Sequence, residues 1–362
     1  MKKYVPRPFS VSFLILALSF ILYLLAIGSV ALADFVNGTV SVGVRYILSL
    51  ATRIIPFSLF ELLIILSPVI LVLLVVHIVR RQDGIASRVR SVLSVLAVIA
   101  LILTSYIYTL GIGYHTSSVS EKTGIDDAED ITAEDLYRTI NTVIDEINAI
   151  APSLGFLDGE TRIGYSVDEL SGRLVTAYDL FLTDYPILTN YPSRVKPVYF
   201  STVMSDLGIS GIYSFFTGEA NVNVEYPDYC LPFTAAHEMA HQRGVCRENE
   251  ANFIAFLVTV SSDDAYIRYS GYMNAYEYLA SALYSLDPDL YYTARERLDS
   301  RARDDIRASN AVYNKHKDSI LGKINERLND AYLKANGTDG VVSYGYVVRL
   351  IVGYYSEQSG AR

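Results

Sequence analysis

The apolar residues of this chain are concentrated in its first third, where uncharged runs cover residues 11–32, 62–79 and 92–112. Each run is close to the length of about 20 residues that a transmembrane helix requires. Beyond Tyr114 the apolar positions recur at helical or strand spacing between polar ones. The pattern predicts a membrane domain at residues 1–116, with three transmembrane helices, and a second domain at residues 117–362.

The first run shares some features with a signal peptide, because basic residues precede it and Ala31–Ala33 resembles a cleavage site. The run is longer than a signal-peptide core, and further spans follow it. We therefore expect it to be retained as a span. Residues 34–57 mix Arg45 and Arg53 with aliphatic residues, which predicts a short amphipathic segment at the membrane surface.

Basic residues in the short loops predict the orientation. They are frequent before the first span (Lys2, Lys3 and Arg7) and between the second and third (Arg80, Arg81, Arg88 and Arg90). The loop between the first and second spans has only Arg45 and Arg53. Because basic loops stay in the cytoplasm, the N-terminus is expected to be cytoplasmic and residues 117–362 extracytoplasmic.

The second domain is predicted to be α+β and mostly helical, with a small β-sheet. Residues 117–133 are polar and acidic, which indicates a linker, and a capping sequence at Thr132–Asp135 then begins the first helix. Runs of period two at residues 212–216 and 220–224 predict a hairpin. Further helices are predicted at residues 166–182, 248–261, 264–286 and 291–312, the last one surface-exposed and followed by a solvated His316, and residues 344–355 form a final apolar segment.

Charge separates the two domains as clearly as hydropathy does. Residues 117–362 carry 21 of the 30 basic and 36 of the 39 acidic residues of the chain, so this part is strongly acidic. An acidic domain repels the phosphate backbone of nucleic acids. The sequence thus indicates a lipid bilayer as one partner of the chain and excludes nucleic acid as another.

The clearest chemical motif is His237-Glu238-x-x-His241 within the run from Phe233 to Gly244. Two histidines four residues apart lie on the same face of a helix and can bind one metal ion. Glu238 is close to that ion without being a ligand, where a general base toward an attacking water is needed. The motif is that of zinc hydrolases, so we expect Zn²⁺.

A catalytic zinc needs a third protein ligand, and Glu248 and Glu250 follow the motif closely. On a helix these two side chains point about 200° apart, so only one can face the metal. Helical geometry favours Glu248 and leaves Glu250 as the alternative. Cys246 could also ligate zinc, but a carboxylate is already available. Cys246 and Cys230 flank the motif, and the sequence leaves open whether they form a disulfide.

The run Leu231–Gly244, followed by Glu248–Phe253, is similar to a bacterial membrane-anchored family called domain of unknown function 3810. The likeness includes three leading hydrophobic segments, and members of the family resemble gluzincin-type metallopeptidases. The resemblance implies a zincin-like second domain and zinc-dependent hydrolysis, and it names no substrate.

Comparison with zincins suggests further site residues. Glu248-x-x-Ala-Asn252 resembles their Glu-x-x-Ala-Asp element, which implies that Asn252 orients a histidine from the second coordination shell. Tyr344 and Arg349 are candidates to stabilise the oxyanion. The strand before the motif would bind the substrate at its edge, with Glu219 and Asn221 lining the groove, although the same hairpin could simply present polar residues to solvent.

The sequence therefore predicts a membrane-anchored zinc metallopeptidase that cleaves peptide or protein substrates outside the cytoplasmic membrane. The alternative is an ectodomain that contains zinc without catalysis and binds a partner in the cell envelope. Glu238 favours the enzyme, because a structural zinc site does not need a carboxylate between its histidines.

Overall fold

A computed structural model describes residues 5–80, 84–338 and 346–358 of the chain. The chain divides into two compact units. The first unit contains Met1–Thr116 together with Ser214–Glu219, and the second contains Ser117–Tyr213 and Ala220–Arg362.

The first unit is helical. Its helices are α1 (Arg7–Ile27), α2 (Val30–Val36), α3 (Val42–Arg53), α4 (Leu59–Arg80) and α5 (Ile85–Thr109), with a π-helical turn at Asn37–Ser41 and a 3-10 turn at Gly111–His115. Within the described residues, three segments are long and apolar enough to cross a membrane: Arg7–Ile27, Leu59–Arg80 and Ile85–His115. The predicted spans correspond to these segments. The first ends earlier than predicted, because Ser29 caps the start of α2.

The sequence predicted a single amphipathic segment at residues 34–57, and the structure does not form it. They are divided between two helices, and Arg45 is only 1% exposed. Its guanidinium donates to the side-chain oxygen of Asn37 at 2.8 Å and to the carbonyl of Tyr108 at 3.2 Å. Arg45 is buried because these oxygens accept its hydrogen bonds in place of water.

The second unit is α+β and mostly helical. Its helices are α6 (Val119–Thr123), α7 (Ala133–Ile150), α8 (Val167–Asp184), α9 (Ser201–Asp206), α10 (Cys230–Gln242), α11 (Glu248–Val260), α12 (Ala265–Leu286), α13 (Pro288–Arg297), α14 (Ser300–His316), α15 (Ile320–Ala335) and α16 (Tyr346–Gln358). Its strands are β1 (Gly155–Leu157), β2 (Glu160–Arg162), β3 (Val195–Pro197), β4 (Gly211–Tyr213) and β5 (Ala220–Val222).

The strands form two small sheets. One is the antiparallel pair of β1 and β2, and the other has the order β3-β5-β4. The predicted hairpin is present as β4 and β5, with Ile212 opposite Asn221. Because β3 pairs parallel to β5 on the other side, β5 is the central strand and β4 is an edge.

The core of the second unit surrounds α10 and α11. Helix α11 is apolar on all sides, and its residues from Ala251 to Val258 are buried, as the absence of a polar face predicts. Helices α7 and α12 pack together on one side of this core, and α8 contacts α11 on another. The helix with His237, Glu238 and His241 and the helix that begins at Glu248 are therefore packed against neighbours on several sides.

Two predicted segments of this unit differ from the structure. Residues 117–133 are not a free linker, because Val119, Ile125 and Ala128 are buried in the core. The predicted helix at 291–312 is two helices, and α14 is not simply a surface helix. Its Asp305 is fully buried and accepts hydrogen bonds from the N–H and hydroxyl of Thr161 and from the hydroxyl of Tyr269.

Candidate metal centre

Helix α10 carries both histidines of the motif. Its small residues Ala235, Ala236 and Ala240 favour helix and are fully buried, which lets neighbouring helices approach closely. At its start, the hydroxyl of Ser270 on α12 accepts a hydrogen bond from the N–H of Phe233 at 3.0 Å. The helix is thus fixed in place, and His237 and His241 project from one face with ring centroids 4.6 Å apart.

The chain reverses direction after α10 and returns along α11. Gly244 has a φ of +96°, a left-handed conformation that glycine adopts without strain. The turn brings Glu248, the first residue of α11, against both histidines. Nε2 of His237 lies 3.3 Å from one carboxylate oxygen of Glu248, and Nε2 of His241 lies 3.6 Å from the other.

The three side chains form a compact donor set. One nitrogen of each histidine and a carboxylate oxygen of Glu248 all lie within 4.8 Å of one another. Zinc bonds of about 2.0–2.2 Å in a tetrahedral arrangement place neighbouring ligand atoms about 3.4 Å apart. The separations of 3.3 and 3.6 Å fit that spacing, and two imidazoles with one carboxylate are a donor set suited to zinc.

Glu250 and Cys246, the alternative third ligands, are not in this set. Glu250 accepts hydrogen bonds from the guanidinium of Arg247 at 2.8 Å and from the N–H of Val119 at 3.1 Å. Glu250 is two residues after Glu248 on the same helix, so its side chain points away from that of Glu248, as the spacing predicts. Cys246 is buried, and the possible disulfide between Cys246 and Cys230 is not formed.

The outer nitrogens of the two histidines have different surroundings. Nδ1 of His241 lies 2.7 Å from the carbonyl of Val245, which as an acceptor keeps the proton on Nδ1 and turns the Nε2 lone pair inward. In the part of the chain that the structure describes, Nδ1 of His237 is buried without a hydrogen-bond partner. The expected bond from Asn252 to a histidine is therefore not formed. Asn252 is buried one turn further along α11.

Glu238 is buried against the edge strand β4. The backbone N–H of Tyr213 donates to its carboxylate. A β-carbon on Gly211 would lie 2.5 Å from a carboxylate oxygen of Glu238, so only glycine leaves room for that oxygen. Burial raises the pKa of Glu238, although the two histidines and the Tyr213 N–H oppose the shift. A raised pKa makes the carboxylate a stronger base.

The side chains of the donor set form an ionic network. Burial alone would lower the pKa of His241, but the adjacent Glu248 carboxylate raises the pKa to about 9. Burial alone would raise the pKa of Glu248, but the two imidazoles hold it well below its usual range. A divalent cation would take the place of the His241 proton as the positive charge that balances Glu248.

Sequence reasoning missed the residues that hold the far side of α10. Arg243 is 2% exposed and lies between the rings of Tyr178 and Tyr191, 4.2 and 5.1 Å from their centroids. Its Nε donates to the side-chain oxygen of Asn190 at 2.8 Å, and the Tyr178 hydroxyl donates to the Ala236 carbonyl. The sequence offered one indication that Arg243 is structurally important, because this residue directly precedes Gly244, where the helix ends. Its aromatic partners are distant in sequence.

Two predicted groove residues have other roles. Glu219 is 1% exposed and belongs to the first unit, where its carboxylate accepts hydrogen bonds from the backbone N–H groups of Leu59 and Phe60. Asn221 is fully buried on the central strand and donates to the Ile212 carbonyl. Neither lines an open groove, because the carboxylate of Glu219 is buried at the start of α4 and β5 is paired with a strand on each edge.

Of the two predicted oxyanion donors, Arg349 is not brought to the metal centre. The guanidinium of Arg349 is paired with Asp127 at 2.9 Å and also donates to the Ala128 carbonyl. It lines a surface groove with Ile131 and Val348 that includes none of the metal-centre residues. Tyr344 lies outside the described residues.

Comparison with known proteins gives a family. The model of the family described as protein of unknown function, DUF3810, matches residues 37–352 of the chain. The match covers well over half of the chain and includes all of α10 and α11, so the chain belongs to this family. Searches among curated proteins and among solved structures gave no match.

Proposed function

We propose that this member of the DUF3810 family is a membrane-anchored zinc metallopeptidase with a zincin-like second unit. The observation that carries the proposal is the convergence of His237, His241 and Glu248, with ligand atoms within 4.8 Å of one another, next to the buried Glu238. A purely structural site would not need a buried carboxylate beside its ligands. The gluzincin-like ligand set is part of the proposal.

Glu238 has the role of general base and then general acid. When bound, zinc would supply a Lewis acid that activates a water molecule and polarises the scissile carbonyl. The Glu238 carboxylate takes a proton from the water as its oxygen bonds to the carbonyl carbon. The same proton then passes to the amide nitrogen as the carbon–nitrogen bond breaks. The hydrogen bond from Tyr213 fixes the carboxylate for both transfers.

The substrate class follows from the strand next to Glu238. Strand β4 is an edge of its sheet, and an extended peptide can add to such an edge through backbone hydrogen bonds. Gly211 and Tyr213 on β4 both contact Glu238, so a peptide paired with β4 would pass close to the general base. We therefore propose β4, rather than the predicted Glu219 and Asn221, as the substrate-binding element.

We also propose that the second unit is extracytoplasmic. Residues of 214–219 contact both the start of α4, through Glu219, and the end of α5, through Phe215. These two helix ends are therefore on one side of the first unit, and the chain leaves α5 on that side. The opposite ends carry Arg80, Arg88 and Arg90, which favour the cytoplasm.

The test uses the full chain purified in detergent. We expect about one zinc per chain by elemental analysis in the wild type and in Glu250→Ala, and loss of zinc in Glu248→Ala. A mixture of unstructured peptides, analysed by mass spectrometry, should be cleaved by the wild type and not by Glu238→Gln, which should keep its zinc. A wild type without zinc after zinc is supplied would refute the proposal. Zinc without any cleavage would favour the non-catalytic alternative.

A further inference from the structure

The six residues that connect β4 to β5 belong to the first unit, although both strands belong to the second. Glu219, the last of the six, is 1% exposed. Its two carboxylate oxygens accept the backbone N–H groups of Leu59 and Phe60 at 3.1 and 2.8 Å, at the start of α4. The carboxylate thus caps the second apolar helix, where the N–H groups have no partner within the helix itself.

The rest of the connection is held by α5, α4 and α3 of the first unit. The hydroxyls of Ser105 and Thr109 on α5 donate to the carbonyl of Phe215 at 2.7 and 3.2 Å. Phe215 also meets the ring of Tyr106 edge-on, and Phe216 lies against Phe60. A β-carbon on Gly218 would lie 2.5 Å from Cβ of Leu48, so this position is closely packed as well.

Glu219 is also part of the hairpin register. Its carbonyl accepts the N–H of Ser214 at 2.9 Å, directly before the pairing of Tyr213 with Ala220. A slip of one residue would turn every side chain of a strand to its other face. Because Gly211 and Tyr213 contact Glu238, any displacement of β4 would move the groups that surround this carboxylate.

We propose that Glu219 is a positioning residue: by capping α4, it fixes the β4–β5 hairpin and thereby holds β4 against Glu238. The proposal rests on the proposed function for its effect on catalysis only. Anchoring of the hairpin is a separate physical claim, which can be measured without a substrate.

The test compares Glu219→Gln with Asp287→Asn in the full chain. Asp287 is a control distant in sequence from the hairpin: one of its carboxylate oxygens caps α13 by accepting the backbone N–H groups of Asp289 and Leu290, each at 3.0 Å. Both substitutions replace a carboxylate by an amide, which offers one acceptor oxygen in place of two. Ser105→Ala is a milder variant that removes one hydrogen bond to Phe215.

Hydrogen exchange measured by mass spectrometry reports on the hairpin. We expect exchange in peptides covering residues 211–222 to be about tenfold faster in Glu219→Gln, less accelerated in Ser105→Ala and unchanged in Asp287→Asn. Unchanged exchange in Glu219→Gln would overturn the proposal, whether or not the wild type cleaves peptides.

Kinetics test the second half of the proposal. Glu219→Gln should keep its zinc, because no ligand is on the hairpin, and should lower kcat about a hundredfold, as expected for a misplaced catalytic group. Glu219→Asp should recover part of the activity. Faster exchange with wild-type kcat would overturn the link to Glu238. A wild type that binds no zinc and cleaves no peptide would refute the proposed function, and hydrogen exchange would still decide the anchoring.

Discussion

Gly211 and Glu238 approach so closely that a β-carbon on Gly211 would lie 2.5 Å from the Glu238 carboxylate oxygen and 2.7 Å from its Cγ. Both atoms are closer than any stable contact, and Glu238 is 4% exposed and has little room to move. The carboxylate on α10 therefore fills the space that a side chain at the glycine position on β4 would need. The contact is a property of the tertiary structure, because 27 positions separate the two residues along the chain.

Gly211→Ala should slow peptide hydrolysis about a hundredfold and leave zinc bound. The added methyl group displaces the Glu238 carboxylate or β4, and a group displaced by about 1 Å can lose about a hundredfold in rate. Zinc content and kcat on the same sample measure the two effects. Gly172→Ala is the control, since no atom lies within 4 Å of a β-carbon there and alanine favours its helix. Equal activity in both variants would contradict the role of this contact.

Gly244→Ala should weaken zinc binding through His241. The φ of +96° at Gly244 is strained for alanine, and a shift of this turn moves the Val245 carbonyl that orients His241. Loss of such an outer-shell partner typically costs about 10–100-fold in metal affinity. Competition with a zinc chelator measures the affinity.

Gly124→Ala provides the control for that experiment. Gly124 has a φ of +76°, and no atom lies within 4 Å of a β-carbon there, so alanine adds strain at a site that holds no metal ligand. Its zinc affinity should equal that of the wild type. If Gly124→Ala weakens zinc binding as much as Gly244→Ala does, general destabilisation rather than the Val245 carbonyl is responsible.

Glu250→Gln should destabilise the fold and keep zinc. The Glu250 carboxylate is 6% exposed and accepts hydrogen bonds from Arg247 and from the N–H of Val119. Loss of a buried charged acceptor typically costs about 1–3 kcal/mol of the free energy of unfolding. Urea denaturation followed by circular dichroism measures it. Glu326→Gln, at an exposed position of α15, should change neither stability nor zinc content. Zinc loss in Glu250→Gln would mean that the third ligand is misassigned.

His316→Gln should destabilise the protein more at pH 5.5 than at pH 9. The hydrogen bond to Asp206 at 2.7 Å raises the pKa of His316 above its ordinary value near 6.5. A raised pKa means that the folded state binds the proton more tightly than the unfolded chain does. The stabilisation of the folded state by protonated His316 is therefore complete below about pH 6.5, and it disappears as the pH rises through the pKa that His316 has in the folded state.

Protonation of Glu225 at low pH limits the stabilisation that the charged His316 provides. Burial would raise its pKa, but Lys315, Ser205 and His316 lower it to about 2. Its stabilisation is present above about pH 4.5 and is lost as the pH falls towards 2. Thermal unfolding of wild type and His316→Gln at pH 5.5 and 9 measures the difference, with the exposed Lys317→Gln as control. A loss of stability that does not change between these pH values would contradict the ion-pair explanation.

The sequence prediction of a solvated His316 is wrong, because its side chain is 6% exposed between Asp206 and Glu225.

Local patterns predicted the elements of this fold well where the pattern is strong. The capping sequence at Thr132 begins α7, and the period-two runs form the β4–β5 hairpin. The split between α13 and α14 was missed, because Asp299 caps a new helix in a stretch whose many arginines and alanines favour helix on both sides of it. Arg45 was placed at a membrane surface, since no local signal indicates that Asn37 and the Tyr108 carbonyl satisfy its donors.

The sequence by itself determined the helical motif with His237, Glu238 and His241, the three apolar helices and the acidic second unit, because spacing and composition act within a few turns of chain. Tertiary structure decided which residues meet them. The return of α11 after Gly244 brings Glu248, and not Glu250, to the histidines. The packing of β4 brings Gly211 next to Glu238, and the connection from β4 to β5 places the Glu219 carboxylate at the start of α4. These contacts join segments distant in sequence, so their geometry depends on packing of the whole core rather than on local preference.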